Sequence, residues 1–314
     1  MMPPSRSRRP LGLSSLAIHG GEVERRLAAI HGAESALVTA SATGATALAL
    51  QALLRPGDHL LTSAWISGAV HQLLTQEFDR VGIAVTLVDP LESRGWRKRL
   101  RKETRVIFLE SPASPTCRVI DLRPVNLLTK ELGLALVVDS TFAGPINFRP
   151  IEHGADVVIQ SNVILGSAPV IDEARDKMAL WGQIPDPAAT RRLERDLETL
   201  AVRTARQNES AMRIAEWAEG RKEIKRVHYP GLPSHEDHAI ARHHLHGFGA
   251  MLVVELAGDG RVADRFLRRL ALWGQAPIGG GNNSIATSAN GPVRLIAGLE
   301  EADDLIADLD QALR

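Results

Sequence analysis

From residue 33 to about residue 160 the chain alternates two kinds of segment. Short apolar runs have strand length: ALVTA after Glu34, DHLLTS from Asp58, IAVTLVD from Ile83, RVIFLE from Arg105, LALVVD from Leu134 and DVVIQ from Asp156. Between them, residues 44–54, 68–78 and 125–132 carry apolar positions at helical spacing. Strands that are apolar on both faces and separated by helices predict an α/β fold, with a mainly parallel sheet covered on both sides. Its crossovers should be right-handed. Ligands in such sheets bind beyond the carboxyl ends of the strands. Glu110, Asp139 and Gln160 with Ser161 each close a run and so mark the expected site.

After Pro185 the pattern changes. Residues 188–220 read as one long, charge-laced helix, and YPGLPSH (229–235) separates it from the next unit. That unit is a smaller α+β one and runs to Arg314, with GAMLVVEL as a strand and EEADDLIADLDQAL as the last helix. The predicted organisation is a disordered basic tail over 1–15, a large α/β domain over 16–204 and a small C-terminal α+β domain over 205–314. The tail, MMPPSRSRRPLGLSS, lacks the apolar stretch of a secretory signal; an organelle-targeting or docking arm is the alternative reading of it.

Composition narrows the class. At 314 residues the chain can bury a large core and form two domains. Its 37 basic and 37 acidic residues cancel, which removes the electrostatic footprint expected of a nucleic-acid binder. No apolar run approaches the length of a membrane span. The single cysteine, Cys117, excludes an internal disulfide and fits a reducing cytoplasm.

Several blocks carry a family resemblance: SLAIHGG, ERRLAAIHGAESALVTAS, GDHLLTS, FLESPASPT, VVDSTF, RPIEHGADVVIQS, VHYPGLPSH and VRLIAGLEEADDLIADLDQAL. Each alone is weak, but in this order and spacing the chain resembles, from about Leu16 onward, the Cys/Met metabolism enzymes of the cystathionine γ-synthase, cystathionine β-lyase and methionine γ-lyase type. The resemblance implies a type I pyridoxal-phosphate (PLP) fold, with a large domain and a small C-terminal one. It also implies transsulfuration chemistry and a subunit-interface active site.

That chemistry needs a lysine amine to hold the cofactor as an imine and to move protons. The ungapped lysine position is Ile164, or Val163 if one residue is deleted, and neither can form an imine. Of the six lysines, Lys177 is nearest in sequence and reads as a solvated helix residue. Ser41, Ala42 and Thr43 stand where the family's phosphate-binding turn has a glycine. Ser67 stands at the ring-stacking tyrosine, with Trp65 nearby, and Ser114 at an active-site asparagine. A segment is missing between Gly21 and Glu22 that in the family reaches the neighbouring subunit's phosphate. Three positions match: Asp139 for the pyridine nitrogen, Ser161 for the phosphate and Arg294 for the substrate carboxylate. Each has a structural reading too. Asp139 can cap the turn at Ser140 and Thr141, and Arg294 can pair with Glu300 or Asp139.

The histidines of HEDHAIARHHLHG fall on an expected helix with no matching ligand motif elsewhere, so no metal is predicted. IGGGNN (278–283) reads as a flexible loop, and Cys117 as a buried, inert thiol. The leading functional expectation is a degenerate homologue, inactive in PLP chemistry, acting as a homodimer or as a heteromeric partner of an active paralogue. The alternatives are a PLP-binding C–S lyase or synthase, and a module that uses Arg294 to bind an amino acid or other carboxylate.

Overall fold

A computed structural model describes residues 21–113, 116–258, 260–275, 282–288 and 291–314. The expectations for the tail, for Ser114 and for most of IGGGNN lie outside the described residues.

Among the described residues seven strands build the large sheet: β1 (Ser35–Val38), β2 (His59–Ser63), β3 (Ala84–Val88), β4 (Thr104–Glu110), β5 (Ala135–Asp139), β6 (Val157–Gln160) and β7 (Val163–Gly166). Their spatial order is β1-β7-β6-β5-β4-β2-β3. The five from β3 across to β6 run parallel, and β7 runs antiparallel to both β6 and β1. The central runs are strands because they are buried on two faces, while β3, at the sheet edge, is only partly buried. One face packs Leu61, Ile107, Leu136 and Val158 with the helices Gly21–His31 and Leu122–Leu132. The other packs Leu60, Val106, Val137 and Ile159 with the helices Ala42–Leu53 and Ala168–Trp181.

Two local expectations change. The predicted single helix over 188–220 is two helices, Pro187–Glu198 and Leu200–Glu219, with Thr199 between them at φ −111° and ψ 7°. The break lets each half bury a different stripe. Leu193 and Leu197 pack on the large-sheet core, while Ala211, Ile214, Ala215 and Ala218 pack under the C-terminal sheet. Arg203 secures the corner by donating to the Thr199 hydroxyl at 3.1 Å and the Asp196 carbonyl at 2.7 Å. The predicted helix over 68–78 begins as Gly68–Gln72 and widens into a π-helical turn over Leu73–Glu77.

The C-terminal sheet contains β8 (Ile224–His228), β9 (Met251–Leu256), β10 (Ile285–Ser288) and β11 (Val293–Ile296), ordered β10-β11-β9-β8 and antiparallel throughout. The helix His238–His244 leaves this unit to seat Ala241 on the large-sheet core, with Leu245 just beyond it. A paired amide lock joins the two regions. Asn208 Nδ2 donates to Asn147 Oδ1 at 2.7 Å, and Asn147 Nδ2 returns a bond at 3.1 Å. No helix of the described residues is long and apolar enough to cross a membrane.

His31, which ends the helix Gly21–His31, is fully buried with no partner for either ring nitrogen. Burial and the positive charge of Arg149 lower its pKa to about 4. The unfolded chain binds this proton near pH 6.5 and the folded one only near pH 4. The stability His31 permits is therefore complete above pH 6.5 and is lost as pH falls from there toward 4. At 1.36 kcal/mol per unit the loss reaches about 3 kcal/mol. Urea denaturation at pH 7.5 and pH 4.5 should show wild type losing more stability than His31→Phe; equal losses would remove His31 as the cause.

Candidate functional site at the carboxyl edge

Glu110 and Asp139 end β4 and β5 in direct register, and both are buried. Asp139 turns back on its own chain. Its Oδ1 accepts the Thr141 N–H at 2.9 Å and the Thr141 hydroxyl at 2.5 Å, an Asx-type turn. Burial raises its pKa to about 6 against the opposing Thr141 hydrogen bonds. Thr141 Oγ1 also accepts the Ser161 N–H at 2.7 Å. Gln160 closes the group, accepting the Ser140 hydroxyl at 3.1 Å and donating to the Thr141 carbonyl at 3.1 Å. The ends of β5 and β6 are thus stitched to each other.

The chain then reverses at once. Gln160 pairs with Val163, so only Ser161 and Asn162 form the turn between β6 and β7. Ser161 has φ 54°, the left-handed conformation that favours glycine and suits the first central residue of a tight hairpin. Asn162 pins the turn to the end of β1: its Nδ2 donates to the Thr39 carbonyl at 2.9 Å, and its carbonyl accepts from Thr39 N at 2.8 Å. Beyond the turn, both positions read as the lysine site are inside the protein. Val163 packs into one core, and Ile164, between Leu37 and Ile159, into the other.

Ser41 caps the helix Ala42–Leu53, its hydroxyl accepting the Gly44 N–H at 3.1 Å, while Thr43 is exposed. Gln183 lies over this first turn. Its carbonyl accepts the Ala40 N–H at 3.0 Å, and its buried Oε1 has no hydrogen-bond partner. A Cβ on Gly44 would stand 2.5 Å from that Oε1 and 2.7 Å from the Ser41 hydroxyl, so a larger residue there would make both side chains shift.

Arg294 lies half-buried on β11 opposite Val253 and Thr287. Of the carboxylates considered for it, Glu300 accepts from the Ser284 N–H and hydroxyl, and Asp139 from the Thr141 N–H and hydroxyl. Burial pushes the nearby Cys117 thiol up to about 12 against the charge of Arg294, which leaves it protonated and inert. Trp65 carries the Arg118 guanidinium on its face, 4.3 Å from the ring centroid, and Ser67 precedes the helix Gly68–Gln72 without capping it through its side chain. Lys102, Lys130, Lys177 and Lys225 all make ion pairs, Lys177 with Glu173 at 3.2 Å. Sequence reasoning missed β7 and Gln183. The only trace of β7 is its apolar VIL triplet.

A large, mostly parallel sheet with this topology and a smaller antiparallel C-terminal sheet define a type I PLP-enzyme fold. The crystal structure of metB from Corynebacterium glutamicum matches it with TM-score 0.88 at 28% identity, covering 93% of this chain and 83% of that one. The chain belongs to the Cys/Met metabolism PLP-dependent enzyme family, whose pattern matches residues 20–290. An L-methionine gamma-lyase of Fusobacterium nucleatum subsp. polymorphum is 31% identical over 93% of this chain and 82% of its own length. A cystathionine beta-lyase of Coxiella burnetii is 32% identical over 92% and 84%.

Proposed function

We propose that this chain keeps the family fold without its PLP chemistry, and serves as a non-catalytic subunit, in a homodimer or beside an active relative in the cytoplasm. The observation that carries the reading is the two-residue turn at Ser161 and Asn162. It takes the chain from β6 straight into the core-facing residues Val163 and Ile164, so no amine is presented there. At the same edge Asp139 Oδ1 is engaged by Thr141, and burial raises its pKa to about 6. At the start of the helix Ala42–Leu53, where a phosphate would sit, the Gly44 N–H is taken by the Ser41 hydroxyl and Gln183 stands beside Gly44. Among the described residues this edge does not fit pyridoxal phosphate, although the family is PLP-dependent. We divide the chain into a large domain over 16–204 and a small one over 205–314, joined through the helix Leu200–Glu219 that spans the boundary.

A second reading is a PLP-binding C–S lyase or synthase, and it is favoured by relatives with lyase names. Incubation with PLP, borohydride reduction and peptide mass spectrometry separate the two. The first reading expects no imine absorbance and no adduct above surface background; stoichiometric labelling of one lysine would establish the second. If Arg294 still receives a carboxylate, amino acids will raise the melting temperature of wild type and not of Arg294→Met.

A further inference from the structure

A second group of titratable side chains uses none of the strand-end residues. It gathers His153 from the 3₁₀ turn Pro150–His153, His244 from the helix His238–His244, and Asp121, which caps the helix Leu122–Leu132. His244 Nε2 lies 3.0 Å from Asp121 Oδ1. Burial works to raise the Asp121 carboxyl, but hydrogen bonds from Arg123 and His244 hold it well below the usual carboxylate range. An ionised carboxylate only accepts, so His244 carries its proton on Nε2 and presents a bare lone pair at Nδ1. That lone pair faces His153 Nδ1 at 3.2 Å. The rings meet edge to face, 4.8 Å between centroids, with Phe148 5.5 Å from His153 and 6.5 Å from His244.

Two imidazole nitrogens on one tetrahedral metal, each bonded at about 2.0–2.1 Å, stand roughly 3.3 Å apart. Metal-bound histidines characteristically donate their other ring N–H to a carboxylate, as His244 does to Asp121. His244 is buried while His153 is partly exposed, so the pair opens to solvent on one side.

We propose that His153 and His244 bind a divalent transition metal of the zinc class through their Nδ1 atoms, with Asp121 orienting His244 from behind. Imidazole donors suit zinc, copper and nickel over magnesium or calcium. Among the described residues no three His, Cys, Asp or Glu side chains form a ligand cluster, so water supplies the remaining positions. His153 binds with its proton moved from Nδ1 to Nε2, so no net proton is lost. The helix expected over this stretch is present; the second ligand comes from an element 91 residues away, which no local motif could show. The proposal does not depend on the fate of the PLP site.

The test is calorimetric titration of the tag-free full chain with zinc chloride, paired with thermal unfolding. We expect one saturable site and a zinc-dependent rise in melting temperature. His153→Ala should weaken binding at least tenfold and abolish the rise. Asp121→Asn, which keeps the shape, should weaken it roughly 10- to 100-fold. The exposed neighbours His243→Ala and His246→Ala should leave affinity within about threefold of wild type, well short of the loss expected when a ligand is oriented wrongly. His153 is partly exposed, so its variant should melt like metal-free wild type, which separates lost binding from lost folding. No saturable binding, or binding unchanged in His153→Ala, overturns the proposal.

Discussion

Ile164→Lys should lose about 4 kcal/mol of stability or more, and gain no imine with PLP. Ile164 is fully buried between Leu37 and Ile159 and shares a core with Leu48, Ile171 and Met178. A lysine there must either bury an ammonium or give up its proton. Full burial lowers a lysine pKa by as much as about 3–5 units, and each unit costs about 1.4 kcal/mol near neutral pH. Lost packing of the isoleucine adds to this. Against a total stability of about 5–15 kcal/mol, the variant should sit close to its unfolding threshold. Urea denaturation gives the number. A variant as stable as wild type that forms an imine would mean the residue 164 side chain reaches the strand edge. The register that β7 takes between β1 and β6 would then be wrong. A lysine at 164 alone would leave its amine in the core rather than at the strand edge.

The second large effect should come from Asp237→Ala, at about 4 kcal/mol. Asp237 is buried and accepts three bonds: Arg118 Nε at 2.5 Å, Arg118 Nη2 at 2.9 Å and the Val119 N–H at 2.9 Å. Arg118 is itself mostly buried, stacked on Trp65 and paired with Glu236 at 2.6 Å. Removing one partner of a buried ion pair costs about 3–5 kcal/mol, because the other charge is left without compensation. Glu236 keeps the loss from the top of that range, and the stranded Val119 N–H adds to it. The network joins the loop before the helix Leu122–Leu132 to the segment after β8, so the loss should fall on the junction of the two sheets. Arg118→Met combined with Asp237→Ala should recover part of it, since no charge is then stranded. A single-variant loss below about 1 kcal/mol, the range of exposed ion pairs, would show the network to be solvated.

The apolar runs were legible as strands because a sheet covered on both sides needs residues that are apolar on both faces, a local property. For the same reason the strand ends, and with them Glu110, Asp139 and Ser161, could be placed in advance. The Asp139 turn was legible too, because the acceptor and Thr141 are two residues apart. β7 was not. It has four residues, too few for a period, and it is a strand only because β1 and β6 lie on either side of it. The break at Thr199 was hidden because a continuous helical period says nothing about two halves facing different cores. That Arg118, 53 positions on, lies over the face of Trp65 was not legible either.

By itself, then, the sequence determined the α/β class, the order of the blocks, the edge where ligands would sit and the want of a lysine in the text after DVVIQS. Only the tertiary structure decided that this position lies in the core, that Gln183 lies over Gly44, and that His153 faces His244. The division follows range: burial patterns and turns are written in neighbouring residues, whereas register and side-chain meetings across a hundred positions are settled by how the packed elements fit together.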